Sequence, residues 1–296
     1  METNFCYRVD IDTWEGLYKG LPKCIKIANE NAIPFTYYLS LGKYATGRNL
    51  FRIIKEKETI IKKIPAWKRN HWKDLFRGIL LPPKSIGTNL AEKLQEYASD
   101  KNTEFHPHGY NHVFWANNFK NFDLKLTSTY IENIIQEYMQ IFGKEPIANA
   151  APNFVVNPFY LELLSSKCFK FASDFIYHSP FLLSKTSSKE QNSIVQLPVT
   201  EQTIESLILQ GKSGMEIVDF YNKRFQRLID EGVSYICMYA HAIYEPVKLS
   251  SIIDKIFELV VKYDMKALTH SEYYNKKDEY PKKIIKEVVQ GELKDE

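Results

Sequence analysis

The chain has 296 residues, 44% of them hydrophobic and 25% charged, and a net charge of +3. That length can bury a sizeable core, and the composition excludes wholesale disorder outside the charged tail from about Asn275 to Glu296. So small a positive excess excludes nucleic acid as the organising partner, and no apolar run approaches the length of a membrane span.

The start, METNFCYRVDID, has neither the basic nor the apolar region of a secretory signal, which predicts a protein made and kept in the cytosol. Cys6, Cys24, Cys168 and Cys237 are scattered without metal-type spacing and read as reduced core residues. Phe5 to Ile11 reads as a buried strand with Asp10 and Asp12 at its C-terminal end. A helical pattern follows from Gly16 to Asn31, where Leu17, Leu21, Cys24, Ile25 and Ala28 fall at three- and four-residue steps. Ile33 to Leu41 is a second strand, rich in aromatic and β-branched residues.

Residues 43–85 break this rhythm, being far longer than an ordinary connection. Between Arg48 and Arg77 ten basic residues stand against three acidic ones, interleaved with apolar side chains that include Trp67 and Trp72. Such a composition suits amphipathic helices, split near Pro65, lying on an anionic membrane surface. An insertion packed on the body of the domain with a solvated basic rim is the plainer alternative.

After Gly87 the alternation resumes. Helices are expected at Leu90–Ala98, Ser128–Phe142, Pro158–Ser166, Met215–Asp230 and Ser250–Val261. Strands are expected at Thr103–His108, Ile147–Ala151, Phe169–Ile176, Ile194–Val199, Ser234–His241 and Met265–His270. With no Gly/Ser- or Pro-rich linker to divide it, the chain reads as one domain. The fold class is α/β: a distorted (β/α) barrel of seven or eight strands with the long basic insertion after the second.

The polar candidates sit where strands end, which is the active-site face of such barrels. His108 and His112 stand four apart, a spacing that on a helical turn presents two imidazoles to one metal; a third ligand must come from elsewhere. His106 points to the same face as His108 and is a candidate for a supporting role. Taken singly, each feature has a plain structural explanation: Asp-x-Asp suits a capped turn, and a lone histidine such as His241 is more often a satisfied core residue. Their joint occurrence in one order is what points to a site.

An Asp-x-Asp after strand one, His-x-x-x-His after strand three, Ala-Pro after strand four and a lone His after a late strand resemble the motif series of the NodB-type polysaccharide deacetylases. Six stretches are similar to one branch of that superfamily, the deformylases and deacetylases of undecaprenyl-phosphate-linked amino sugars. They are residues 8–13, 47–52, 108–115, 150–152, 196–200 and 241–242.

The resemblance implies a metal-dependent amidohydrolase. Asp12, His108 and His112 would hold one divalent ion, zinc by this expectation with manganese or cobalt as alternatives; such an ion lowers the pKa of bound water from about 15.7 to about 7. Asp10 would be the general base and His241 the general acid. Arg48, Asn111, Pro152, Asp174 and Glu245 would line the substrate site, with Arg48 on the lipid phosphate and Asp174 also placed to position His241. The implied partners are an undecaprenyl-phosphate-linked amino sugar and the cytoplasmic face of the bacterial inner membrane, in lipid A or envelope modification.

Two departures stand out. The superfamily's third motif usually carries an Arg that orients the catalytic Asp, whereas Ala148 to Phe154 has none. The deformylase branch follows its last His-Ala with Glu-x-Glu, whereas this chain has Ile243-Tyr244-Glu245, which favours an N-acetylhexosamine over formamido-arabinose. The alternatives are a deacetylase of peptidoglycan or soluble glycans, which would not need the insertion, and a non-catalytic lipid-sugar binding protein.

Overall fold

The structure is a computed structural model that describes residues 2–44, 84–85, 87–184, 193–276 and 280–284. β1 (Asn4–Ile11) is buried at every position. Its side chains alternate: Phe5, Tyr7, Val9 and Ile11 join the main apolar core, while Cys6, Arg8 and Asp10 take the other face. The expected helix over 16–31 comes in two pieces, a π-helical turn (Gly16–Gly20) and α1 (Leu21–Asn31), which ends at Ala32 in the left-handed conformation. β2 (Phe35–Leu41) is again wholly buried.

Beyond it, β3 (Lys43–Tyr44) and β4 (Lys84–Ser85) form an antiparallel ladder with Lys43 opposite Ser85. The flanks of the basic insertion therefore meet at one place on the domain. The insertion itself, Arg48 included, lies outside the described residues.

α2 (Ala91–Ala98) leads to β5 (Thr103–Tyr110), after which α3 (His112–Asn118) and α4 (Leu124–Phe142) return the chain. α4 starts four residues before its expected place because the Asp123 carboxylate accepts the Leu126 N–H at 2.7 Å, an N-cap that periodicity alone does not reveal. There follow β6 (Ala148–Asn149), α5 (Pro158–Ser166), β7 (Phe171–Ala172), β8 (Phe181–Ser184), β9 (Ser193–Gln196), α6 (Ile204–Leu209) and α7 (Gly214–Asp230). The chain continues through β10 (Tyr235–His241), α8 (Glu245–Lys248), α9 (Ser250–Lys262), β11 (Lys266–Ala267), α10 (His270–Lys276) and β12 (Lys282–Ile284).

The longer strands lie in two five-stranded sheets. The first runs β10-β1-β2-β5 in parallel, with β11 also on β1; the second runs β12-β8-β9-β7-β6. Hydrogen bonds join them on both sides. Ala150 N–H donates to the Pro107 carbonyl at 3.0 Å, and the Thr200 and Glu201 N–H groups donate to that of Cys237 at 3.0 and 3.2 Å. The alternating α/β architecture is as expected, with two differences. β8 enters antiparallel to β9, and Lys282–Ile284, in the tail expected to be disordered, pairs with β8. Both are short, and their signal is lost among charged neighbours.

Candidate active site

β1, β5 and β10 are parallel and near neighbours, so their C-terminal ends converge at one edge. Asp10 and His241 are register partners across β1 and β10. Asp12 follows one residue past β1. His108 belongs to β5, and a turn with Gly109 at φ 60° and Asn111 at φ 51° places His112 as the first residue of α3. The four-residue histidine spacing thus spans a strand-to-helix corner, not the helical turn expected. Gly109 is required there, since a Cβ would meet the Pro152 ring at 2.5 Å.

Asp12 Oδ1 lies 3.3 Å from His108 Nε2 and 3.4 Å from His112 Nε2. Donor atoms of the three residues fall within 4.8 Å of one another. Their chemistry fits a divalent cation. His108 Nδ1–H donates to the Ala150 carbonyl at 3.0 Å, which leaves its Nε2 as a bare acceptor facing carboxylate oxygens. Burial holds His108 down at about 4, against the pull of Asp10 and Asp12, so it is neutral at ordinary pH. Asp12 Oδ1 is buried without a hydrogen-bond donor. Acceptors gathered on acceptors call for a cation between them, and two imidazoles with a carboxylate are a zinc-type set with room for further ligands.

Beside this cluster, Asp10 Oδ2 is 3.7 Å from His108 Nε2. His241 Nε2 is 3.9 Å from Asp12 Oδ2, and its Nδ1 faces Glu205 at 3.5 Å and Glu245 at 3.9 Å. Burial would lower the His241 pKa, but Glu205, Glu245 and Asp12 raise it to about 10. Glu245 also accepts the His241 backbone N–H at 2.9 Å. Burial pushes its own carboxyl up to about 7.

No family model matches the chain. A protein of Shewanella sediminis named as a probable 4-deoxy-4-formamido-L-arabinose-phosphoundecaprenol deformylase is 24% identical over 237 residues, 79% of this chain and 74% of the relative. One of the same name from Wigglesworthia glossinidia brevipalpis is 22% identical over 248 residues, 83% and 84% of the two chains. A solved structure from Mycobacterium smegmatis, named as a polysaccharide deacetylase, covers 97% of this chain and 96% of its own with a TM-score of 0.63 at 13% identity. The chain has the polysaccharide deacetylase fold and is similar in sequence to the phosphoundecaprenol deformylases.

No Arg stands in Ala148 to Phe154, yet a guanidinium reaches Asp10 from its own strand. Arg8, two residues before Asp10 on β1, grips its carboxylate with two bonds, Nε to Oδ1 at 2.6 Å and Nη2 to Oδ2 at 2.8 Å. Its Nη1 donates to the Ser173 carbonyl at 2.6 Å and Oγ at 3.0 Å. The guanidinium sits 4.8 Å from the Tyr38 ring and 5.3 Å from that of Phe154, a residue of the stretch where the Arg is lacking. Burial alone would raise the Asp10 pKa, but Arg8, with His108 and His241, holds it below the ordinary carboxylate range. Glu205 is the other residue that sequence reasoning missed, for it carries no motif and comes close only through the fold.

The remaining candidates divide. Asp174 is fully buried, accepting the Ala151 N–H at 2.8 Å, the Tyr160 hydroxyl at 3.0 Å and the Gln196 amide at 3.2 Å, so it props the Ala150–Pro152 turn from beneath. Among the described residues, the carboxylates within 4 Å of His241 are those of Asp12, Glu205 and Glu245. Glu245, likewise buried, holds the backbone of His241. Asn111 Oδ1 accepts the Lys43 N–H at 2.6 Å, tying the root of the insertion to the residue before His112. His106 pairs with Glu104 at 3.0 Å, deeper along β5.

Proposed function

We propose that the protein is a divalent-metal-dependent hydrolase that removes an acetyl or formyl group from an amino sugar carried on undecaprenyl phosphate. The observation that carries this reading is the placement of Asp10 and His241, register partners on adjacent strands, within 4 Å of residues of the Asp12–His108–His112 cluster. Similarity to deformylases whose names specify a phosphoundecaprenol substrate supports the substrate class.

Asp12, His108 and His112 would hold the ion, which when bound polarises the acyl carbonyl and makes water acidic enough to attack it at neutral pH. Arg8 keeps Asp10 ionised and aimed, so that Asp10 can accept a proton from the attacking water. His241, a cation between Glu205 and Glu245, donates a proton to the departing amine nitrogen. Without that proton the amide nitrogen is a poor leaving group. The product is a free amine on the sugar and the acyl group as its acid.

A lipid-linked substrate places the enzyme at a membrane surface, on this reading the cytoplasmic face of the inner membrane, as a peripheral protein. No helix among the described residues is long and apolar enough to cross one. Amine release from a lipid-linked N-acyl amino sugar, measured with wild type and with Asp12→Ala and His108→Ala, tests the proposal. Both variants should lose metal binding and turnover together, and full turnover in either overturns it.

A further inference from the structure

Exposed apolar side chains are not spread evenly over this domain. Tyr18, Phe114, Leu124, Leu126, Phe159 and Ile176 all fall in segments that follow the C-terminal end of a strand, the end that carries Asp12, His108, His112 and His241. Val261 and Met139, by contrast, lie late in helices that lead back to the strand starts.

The densest part is the corner between α3 and α4. Phe114 is 40% exposed, Leu124 52% and Leu126 39%. They are backed by an aromatic floor: the Phe114 ring lies 6.0 Å from that of Phe122 and 6.3 Å from that of Tyr130, and Phe122 lies 4.9 Å from Tyr130. Exposed Lys120 and Lys125 alternate with these apolar residues. The patch begins two residues after His112, and the β3–β4 root of the basic insertion is bonded to Asn111 at the same corner.

We infer that the α3–α4 corner is a membrane-docking surface that inserts Phe114, Leu124 and Leu126 into the headgroup boundary of an anionic bilayer. The chemistry is that of an interfacial anchor: apolar side chains exposed beside lysines at one corner of the structure. Charge complementarity comes from exposed Lys120 and Lys125, which outnumber the one exposed carboxylate between them, Asp123. Such docking would turn the metal-site edge toward the lipid surface. That purpose rests on the lipid-linked substrate proposed above, but the docking is measured without any turnover.

The full-length chain, with Cys168→Ser to remove the one half-exposed thiol, is labelled with an environment-sensitive dye at Leu126→Cys or, as the control, Val261→Cys. Each is mixed with vesicles of phosphatidylcholine alone or with phosphatidylglycerol. The dye at position 126 should shift to the blue with anionic vesicles only, while the dye at 261 should not shift. In flotation, Leu124→Ser/Leu126→Ser should bind those vesicles about tenfold more weakly than wild type. The inference is overturned by equal shifts at both positions, by no shift at 126, by undiminished flotation of the double variant, or by a shift at 126 that appears without vesicles as protein concentration rises, which would mark a contact between copies.

Discussion

Arg8 and Asp10, two residues apart on β1, form a forked ion pair at 2.6 and 2.8 Å with the Arg8 side chain wholly buried. A strand directs residues i and i+2 to the same face, so a base and its counter-charge can be delivered by one segment. The planar fork fits both carboxylate oxygens and fixes the direction in which Asp10 faces the histidines.

Arg8→Met should therefore lower turnover by about 100-fold, in line with the loss of an oriented general base. Asp10 must be ionised to act, and without Arg8 its pKa rises, so the acid limb of the pH–rate profile should move to higher pH. Arg8→Lys keeps the charge but not the fork and should restore only part of the loss. Denaturant unfolding should also register about 3–5 kcal/mol of lost stability in Arg8→Met, the cost of a buried carboxylate left without its partner. An unmoved acid limb would count against this role.

The metal cluster can be tested through stability, independently of chemistry. Zinc that binds the folded chain and not the unfolded one should raise the thermal midpoint, by an amount equivalent to about 2.7 kcal/mol at 100 times its dissociation constant. Asp12→Ala and His112→Ala should abolish most of that shift. Wild type dialysed against chelator should lose turnover and regain it with the ion. A zinc-dependent shift of the same size in Asp12→Ala would place the ion elsewhere.

Glu205 faces His241 Nδ1 at 3.5 Å, and on the proposed function it is a positioning residue that acts through His241. Glu205→Gln should reduce kcat by roughly tenfold with KM little changed, because a general acid that is misaligned slows the proton transfer without weakening substrate binding. Glu205→Asp should recover part of the rate. An equal rise in KM would instead assign Glu205 to the substrate.

Glu104 offers a prediction on stability alone. Burial raises its pKa, but His106 and the hydrogen bonds it accepts outweigh burial and bring it from 4.5 down to about 2. Thr36 Oγ1 donates to it at 3.0 Å and the Ser271 N–H at 3.2 Å. A lowered carboxyl binds fewer protons when folded than when unfolded, so its contribution is complete above pH 4.5 and is lost as pH falls toward 2. Glu104→Gln should cost about 2–3 kcal/mol at neutral pH and progressively less across that acid window. Thermal midpoints recorded against pH for both proteins would show whether the two curves converge there.

How far the sequence revealed this molecule depended on whether a feature was local. The buried strands Phe5–Ile11 and Ile33–Leu41 and the helix Ser250–Val261 were legible because long periodic runs carry their own signal. Motif order brings Asp10, Asp12, His108, His112 and His241 together, although a strand-to-helix corner, not a helical turn, separates His108 from His112. Short strands such as Phe171–Ala172 and Phe181–Ser184 were not delimited, since their pairing partners decide them. Arg8 was hidden in a strand that reads as apolar, though its two-residue offset from Asp10 was a usable clue. Glu205 had no local signal at all.

The most direct test is mass spectrometry of an N-acylated amino sugar on undecaprenyl phosphate incubated with the zinc-loaded protein. The account predicts a product lighter by the acyl group and bearing a free amine, formed by wild type and not by Asp12→Ala. Substrate masses left unchanged by the zinc-loaded wild type, for both the acetyl and the formyl forms, would contradict it.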